Sequence, residues 1–141
     1  IMHSFTEVVR SKLPEKFPNL RFGFIEAGAS WIPYMVSQVG AHIRQAERGQ
    51  EKVLPSLYEL APELFRNNRA FITVDLIDDI ENILKFGTED NLMIGTDYSH
   101  TDISANLEAF SGVQSWIDDG SISTTQAEKL LESNAREFYG L

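Results

Sequence analysis

The sequence predicts an α/β protein whose strands pair in parallel. Short apolar runs alternate with segments of helical periodicity along the chain, and no internal repeat or low-complexity tract interrupts the alternation. Strands that are separated by helices pair in parallel through right-handed crossovers. The runs are apolar without regular polar alternation, which is typical of strands that are covered on both faces.

The first part of the chain predicts a helix, a strand and a second helix. Ser4 and Glu7 form a capping-box pattern ahead of an apolar helical stripe, so we expect the first helix to begin after Ser4. The run 20–25 predicts a buried strand, which ends in the small-residue loop 26–30. A longer helix follows, with Pro33 in its first turn, where the missing N–H costs little.

The rest of the chain repeats the alternation. Residues 47–68 predict a long loop with a helical piece near 57–65, and residues 103–117 carry a weaker helical pattern. Two further strands are predicted at 70–76 and 92–96. Caps are predicted for the helices that follow: Asp75, Asp78 or the pair Asp78–Asp79 after the second strand, and a capping box of Ser123 with Gln126 before the last helix.

Composition excludes several classes of function. Lys and Arg number 12 against 21 Asp and Glu, and the net charge of −9 argues against nucleic-acid or anionic-membrane partners. The chain has no cysteine, so a metal must be held by His, Asp or Glu. No signal peptide or membrane span is evident, and the expected location is the cytoplasm.

Polar residues at the strand ends are the candidates for chemistry, because ligands of parallel α/β folds bind at the carboxyl ends of the strands. The predicted strands end in Glu26, Asp75 and Asp97. Asp97 is the sharpest candidate, since it breaks an apolar strand and His100 follows three residues later. The alternative interpretation is that Asp97 only caps the next helix.

The segments 17–29, 90–100 and 134–141 together resemble the amidohydrolase-related superfamily. The branch they are most similar to contains aminocarboxymuconate-semialdehyde decarboxylase and the resorcylate decarboxylases. The resemblance implies that residues 1–141 form the C-terminal portion of a (β/α)₈ TIM barrel, about strands six to eight with flanking helices. Such a portion is incomplete alone, so the missing N-terminal half or another chain is expected to close the barrel, and a homo-oligomer is expected.

The resemblance also implies roles for individual residues. Asp97 corresponds to the eighth-strand aspartate, which faces a divalent metal, usually zinc, and serves as a general base. His100 resembles the histidine that follows it, where a local hydrogen-bonding role is favoured over ligation, although Ser99 stands where proline is common. Most zinc ligands of the family come from elements that are not found in this sequence.

Glu26 is a departure from the family pattern, in which a histidine often ends the sixth strand. Glu26 is expected to contact substrate, ligate the metal, accept a hydrogen bond from a ligand histidine, or pair with an arginine outside this sequence. Trp31 and Tyr34 are candidates to line an aromatic substrate pocket, with ordinary packing as the alternative.

The function that these expectations favour is a metal-dependent hydrolase or nonoxidative decarboxylase that acts on a small, cyclic or aromatic carboxylate. The alternative is a catalytically silent barrel portion that serves binding or assembly. The loss of the usual sixth-strand histidine suggests this alternative. A flavodoxin-like binding module also fits the alternation of elements, but it explains neither the C-terminal segment nor the apolar strand edges.

Overall fold

The structure, a computed structural model, describes residues 1–46, 56–86, 88–101, 105 and 107–141, except for the side chains of residues 43, 44 and 46. The helices are α1 Met2–Arg10, α2 Leu13–Lys16, α3 Ile32–Ala46, α4 Leu57–Asn67, α5 Ile80–Leu84, α6 Ala109–Asp118, α7 Thr124–Glu128 and α8 Asn134–Tyr139. The strands are β1 Phe22–Phe24, β2 Ala70–Val74 and β3 Leu92–Ile94, and the π-helical turn Lys129–Ser133 joins α7 to α8. Residues 47–55 of the loop predicted at 47–68 lie outside the described residues, and the helical piece predicted near 57–65 is confirmed by α4.

The described strands form a parallel sheet in the order β1-β2-β3. Phe24 pairs with Ile72, and Ile72 pairs in turn with Leu92 on the other side of β2. The prediction of parallel strands separated by helices is therefore confirmed. The central strand β2 is buried along its whole length, which explains why its sequence has no polar alternation.

One face of the sheet carries the main hydrophobic core, because alternate strand residues point toward the helices. Phe24 on β1 and Phe65 on α4 meet there around the fully buried Phe5 of α1. The ring centroid of Phe5 lies 5.4 Å from that of Phe24, 5.4 Å from that of Trp31 and 5.2 Å from that of Phe65. This aromatic cluster joins α1, α4 and the start of α3 to the sheet.

The opposite face of the sheet is formed by the intervening strand residues, among them Gly23 and Phe71, and α8 packs on it. The rings of Phe71 and Phe138 lie 5.5 Å apart. A Cβ atom on Gly23 would lie 2.7 Å from the ring of Phe138, so only glycine allows this approach. The buried Asn134 anchors α8, because its side-chain amide donates hydrogen bonds of 2.7 Å to the carbonyls of Glu89 and Leu92.

The start of α1 differs from the prediction. The helix begins at Met2 with Ile1 as its N-cap residue, and Ser4 lies inside the helix rather than capping it. The Phe5 N–H donates to the carbonyl of Ile1 at 2.9 Å, so the first helical hydrogen bond forms before Ser4 could act as a cap.

The caps of two other helices were predicted with mixed success. Ser123 accepts from the Gln126 N–H at 3.2 Å and donates its own N–H to the Gln126 side chain at 2.9 Å, which confirms that capping box. Helix α5 is capped by Asp79, which accepts from the Asn82 N–H at 3.1 Å. The capping role predicted for the pair Asp78–Asp79 is therefore confirmed for Asp79. Asp75 and Asp78 do not cap α5, and the Asp78 carboxylate accepts from the N–H groups of Ala29 and Ser30 instead. Within the described part of the chain, no helix has the length and apolar character that a membrane span requires.

Candidate functional site

The carboxyl ends of the described strands all lie at the same end of the sheet, because the strands are parallel. We call this end the carboxyl edge. Glu26 follows β1, Asp75 follows β2 and Asp97 follows β3. Ligands of parallel α/β folds bind at this edge. The sheet therefore brings the carboxylates of three separate chain segments to the place where chemistry is expected.

A groove of about 480 Å³ opens at this edge and continues over the sheet face that α8 covers. We call it the strand-end groove. Its polar lining includes Glu26, Thr73, Asp75, Asp97 and His100. Its apolar lining includes Ile25, Met93, Ile94 and Tyr139. The groove thus combines an acidic rim with an apolar floor.

Glu26, Asp97 and His100 converge at the rim of the strand-end groove. Each offers one potential ligand atom, and these atoms lie within 4.8 Å of one another. Glu26 and Asp97 come from the ends of strands that β2 separates, so their meeting depends on the strand order. All three residues are predicted from the sequence as site residues, and the structure brings them together.

His100 is held against Asp97 by a direct contact. Its Nδ1 atom lies 2.7 Å from Oδ2 of Asp97, and its backbone N–H donates to the Asp97 carbonyl at 3.2 Å. The side chain of Asp97 is 14% exposed, whereas that of His100 is 56% exposed. The turn after β3 therefore positions the imidazole over a carboxylate that is mostly shielded from solvent.

Three residues at this end of the sheet have a positive φ, a backbone conformation that residues other than glycine rarely adopt. Glu26 has φ 59°, Asp97 has φ 45° and Ser99 has φ 79°. A residue other than glycine in the left-handed region costs on the order of 1 kcal/mol, and such residues cluster at functional sites. The Glu26 N–H donates to the Thr73 hydroxyl at 3.1 Å, which helps to hold the turn after β1.

Asp75 was identified from the sequence only as a strand-end residue, and the structure adds it to the site. Its pKa is raised, first by burial and then by the negative charges of Asp78 and Asp97. Its position after the central strand places it in the lining of the strand-end groove. The sequence signal that pointed to it was its position after the second predicted strand, which corresponds to the positions of Glu26 and Asp97 after theirs.

Trp31 and Tyr34 lie away from the described lining of the strand-end groove. Trp31 is buried in the aromatic cluster of the core, and its indole N–H donates to the Gly28 carbonyl at 2.9 Å. Tyr34 is 57% exposed on α3. The other histidines, His3 on α1 and His42 on α3, are also exposed.

The donor set at the rim fits a divalent metal in type and spacing. Two carboxylates and an imidazole are ligands that zinc and similar cations accept. Metal–ligand bonds of about 2.0–2.2 Å put two ligands of one ion at most about 4.4 Å apart. The observed spread of 4.8 Å needs only a small rotation of an exposed side chain, and both Glu26 and His100 are exposed.

The chain is similar to known proteins both in sequence and in fold. The family model described as Amidohydrolase matches residues 2–141. A crystal structure of the amidohydrolase map2389c from Mycobacterium avium subsp. paratuberculosis K-10 superposes with a TM-score of 0.63 and 17% sequence identity. The superposition covers 94% of this chain and 31% of that chain, so this chain spans less than a third of its length. Comparison with curated proteins gives no match.

The structural likeness shows a shared fold, and the family model extends over nearly the whole sequence. The shared fold agrees with the parallel sheet of this chain. The chain belongs to the amidohydrolase family.

Proposed function

We propose that this chain supplies part of the active site of a metal-dependent hydrolase or nonoxidative decarboxylase of the amidohydrolase-related type. The single observation that carries the proposal is the convergence of Glu26, Asp97 and His100, whose ligand atoms lie within 4.8 Å of one another at the carboxyl edge of the sheet. Membership of the amidohydrolase family supports a hydrolase-type function in general, and members of such families commonly hold a divalent metal.

Asp97 has the central role in this proposal. Asp97 follows β3, and its side chain is largely shielded at the rim. Its carboxylate would be a ligand of the divalent metal, with zinc as the proposed ion. With a divalent cation bound there, its positive charge would polarise a substrate carbonyl and lower the pKa of a water molecule beside it. The Asp97 carboxylate would accept the proton that the attacking water or the substrate releases.

His100 and Glu26 complete the rim in this proposal. The contact between His100 and Asp97 orients the carboxylate. Glu26 approaches from the end of β1, as a further ligand or as a contact to substrate. Further ligands come from outside this chain.

The proposed substrate is a small cyclic or aromatic carboxylate. The apolar floor formed by Ile25, Met93 and Tyr139 supports a flat apolar ring in the groove. A carboxylate on such a substrate would face the cation that the acidic rim is proposed to hold. Hydrolysis and decarboxylation both fit this arrangement, because both use a metal, a carboxylate base and a shaped cavity.

We also propose that further strands complete the barrel. The described sheet has β1 and β3 at its edges, and the matched amidohydrolase chain is about three times longer. Parallel sheets with apolar faces require cover on both sides and paired edges. The additional strands come from another segment of the same protein or from a partner chain, and assembly into a homo-oligomer is part of the proposal.

Asp97→Asn in the full-length protein tests the proposal. The variant keeps the size of the side chain but removes its charge and its proton-accepting capacity. We expect turnover on a panel of aromatic carboxylates and cyclic amides to fall by about two to four orders of magnitude, with reduced metal content. Asp118→Asn, at the exposed end of α6, is the matched control. Unchanged metal content and turnover in Asp97→Asn would remove Asp97 from the mechanism and favour a silent barrel.

A further inference from the structure

Asp78 is a buried carboxylate that links the loop after β2 to the loop after β1. The residue is 9% exposed. Its Oδ2 atom accepts from the Ala29 N–H at 2.8 Å, and its Oδ1 atom accepts from the Ser30 N–H at 3.1 Å and from the Ser30 hydroxyl. Within its own loop, Oδ2 also accepts from the Asp75 N–H at 2.9 Å. Both carboxylate oxygens are therefore engaged by two chain segments.

Residues 26–31, here called the Glu26 loop, are built to fit this carboxylate. Gly28 has φ +58°, and a Cβ atom there would lie 3.0 Å from Oδ2 of Asp78. Ala29 is fully buried, so its N–H has no access to solvent and needs an internal acceptor. On the other side, the Trp31 indole fixes the Gly28 carbonyl at 2.9 Å. The loop is thus held between Asp78 and the aromatic core.

This attachment matters for Glu26 at the start of the loop. Glu26 has φ 59°, a left-handed conformation that glutamate disfavours and that persists only where the surroundings impose it. Its N–H is held by Thr73 at 3.1 Å, but its side chain is exposed at the rim. The orientation of Glu26 toward Asp97 therefore depends on the path of the loop, which Asp78 determines through Ala29 and Ser30.

We infer that Asp78 is a positioning residue that holds Glu26 in place at the metal-binding rim by fixing the Glu26 loop. The inference rests on the proposed function, because it treats Glu26 as a contact to the metal. A purely structural role for Asp78 would change the stability of the protein but would not act on metal binding through Glu26. A double-mutant cycle separates the two roles.

The experiment measures Zn²⁺ affinity by calorimetry on the full-length protein, its Asp78→Asn and Glu26→Gln variants, and the double variant. Asp78→Asn keeps the side-chain size but places an amide against N–H donors. We expect each single variant to bind Zn²⁺ about 10–100-fold more weakly. The double variant should bind no more weakly than Glu26→Gln alone. Hydrogen exchange at the Ala29 and Ser30 amides should be faster in Asp78→Asn, with or without metal.

Asp79→Asn is the matched control, because Asp79 is the exposed neighbour that caps α5 and asparagine is an equally good cap. It should bind Zn²⁺ as the wild type does. If Asp78→Asn fails to fold, Ser30→Ala replaces it in the experiment, because this variant removes only the hydrogen bond from the Ser30 hydroxyl to Asp78. Ser30→Ala should lower Zn²⁺ affinity in the wild-type background but not in the Glu26→Gln background.

The outcomes distinguish the inference from the proposed function. Additive losses in the double variant, or wild-type affinity in Asp78→Asn, would overturn the inference while the metal site remains. Wild-type affinity in Glu26→Gln combined with loss in Asp97→Asn would also overturn it, because Glu26 would then be no metal contact. A wild-type protein that binds no Zn²⁺ would instead overturn the proposed metal function on which the inference rests.

Discussion

Nδ1 of His100 lies 2.7 Å from Oδ2 of Asp97, so the turn after β3 returns an imidazole to the carboxylate that ends the strand. A histidine that hydrogen-bonds a metal-binding carboxylate orients it and tunes its basicity. The pair is local in sequence, but Glu26 reaches it from a strand that lies more than 70 positions earlier in the chain.

The first prediction concerns this pair. His100→Gln should lower Zn²⁺ affinity about 10–100-fold, because the imidazole that orients Asp97 is lost. The melting temperature should stay within about a degree or two, since a largely exposed side chain contributes little to packing. Calorimetric titration and thermal melting of the same preparation check both parts. His42→Gln, on the exposed surface of α3, is the control. Equal Zn²⁺ affinities for the His100 variant and the control would contradict the prediction.

Asp75 should make stability depend on pH. Burial and the charges of Asp78 and Asp97 raise the pKa of Asp75, so the folded state holds its proton more tightly than the unfolded state. Stability is then lost as pH rises through the folded-state pKa, because the carboxylate must ionise in an unfavourable setting. Asp75→Asn should therefore be more stable than the wild type at neutral pH, and the difference should vanish below the unfolded pKa.

Melting temperatures at pH 3.5 to 8, measured in the presence of a chelator, check this dependence. Asp118→Asn should show no comparable gain, because Asp118 is exposed. A stability difference between Asp75→Asn and wild type that is constant across this pH range would show that the effect does not come from ionisation.

Gly23 should be intolerant of a side chain. A Cβ atom there would lie 2.7 Å from the Phe138 ring, so Gly23→Ala should cost about 1–3 kcal/mol in the free energy of unfolding. The penalty should shrink in a Phe138→Leu background, because the smaller side chain leaves room. Denaturant titrations of the two single variants and the double variant provide the measurement. If the losses in the free energy of unfolding were additive in the double variant, the Phe138 ring would not be what excludes a side chain at Gly23.

Lys129 should stabilise the start of β3 through an ion pair. Its Nζ atom lies 2.6 Å from Oδ1 of Asp90 and 2.8 Å from Oε1 of Glu89. These two contacts raise the pKa of Lys129, and the contact with Lys129 helps to lower the pKa of Glu89. Lys129→Met should cost up to about 1 kcal/mol at low salt, and less at high salt. Because the folded pKa of Glu89 is depressed, this contribution is present above its unfolded pKa and is lost as pH falls through the folded pKa.

Chemical denaturation at two salt concentrations checks the prediction. Lys12→Met, which breaks an exposed pair with Glu15, is the control and should have a smaller effect. A salt-independent loss in Lys129→Met would point to packing rather than charge.

The sequence by itself determined the features that depend on neighbouring residues. Hydrophobic periodicity and short apolar runs predicted the alternation of strands and helices, because these patterns reflect local backbone geometry. The capping box of Ser123 with Gln126 was predicted for the same reason, since its partners are three residues apart. Asp97 could be selected because it directly ends an apolar run and precedes His100.

Only the tertiary structure decided which distant residues meet. Asp78 looked like a helix cap in the sequence, but its carboxylate binds Ala29 and Ser30, which lie 49 and 48 residues earlier. Glu26 joins Asp97 because β2 inserts between their strands in a parallel register. Such pairings follow from strand order and core packing, which no local period or cap encodes, and they place the acidic groups of three strands at one edge of the sheet.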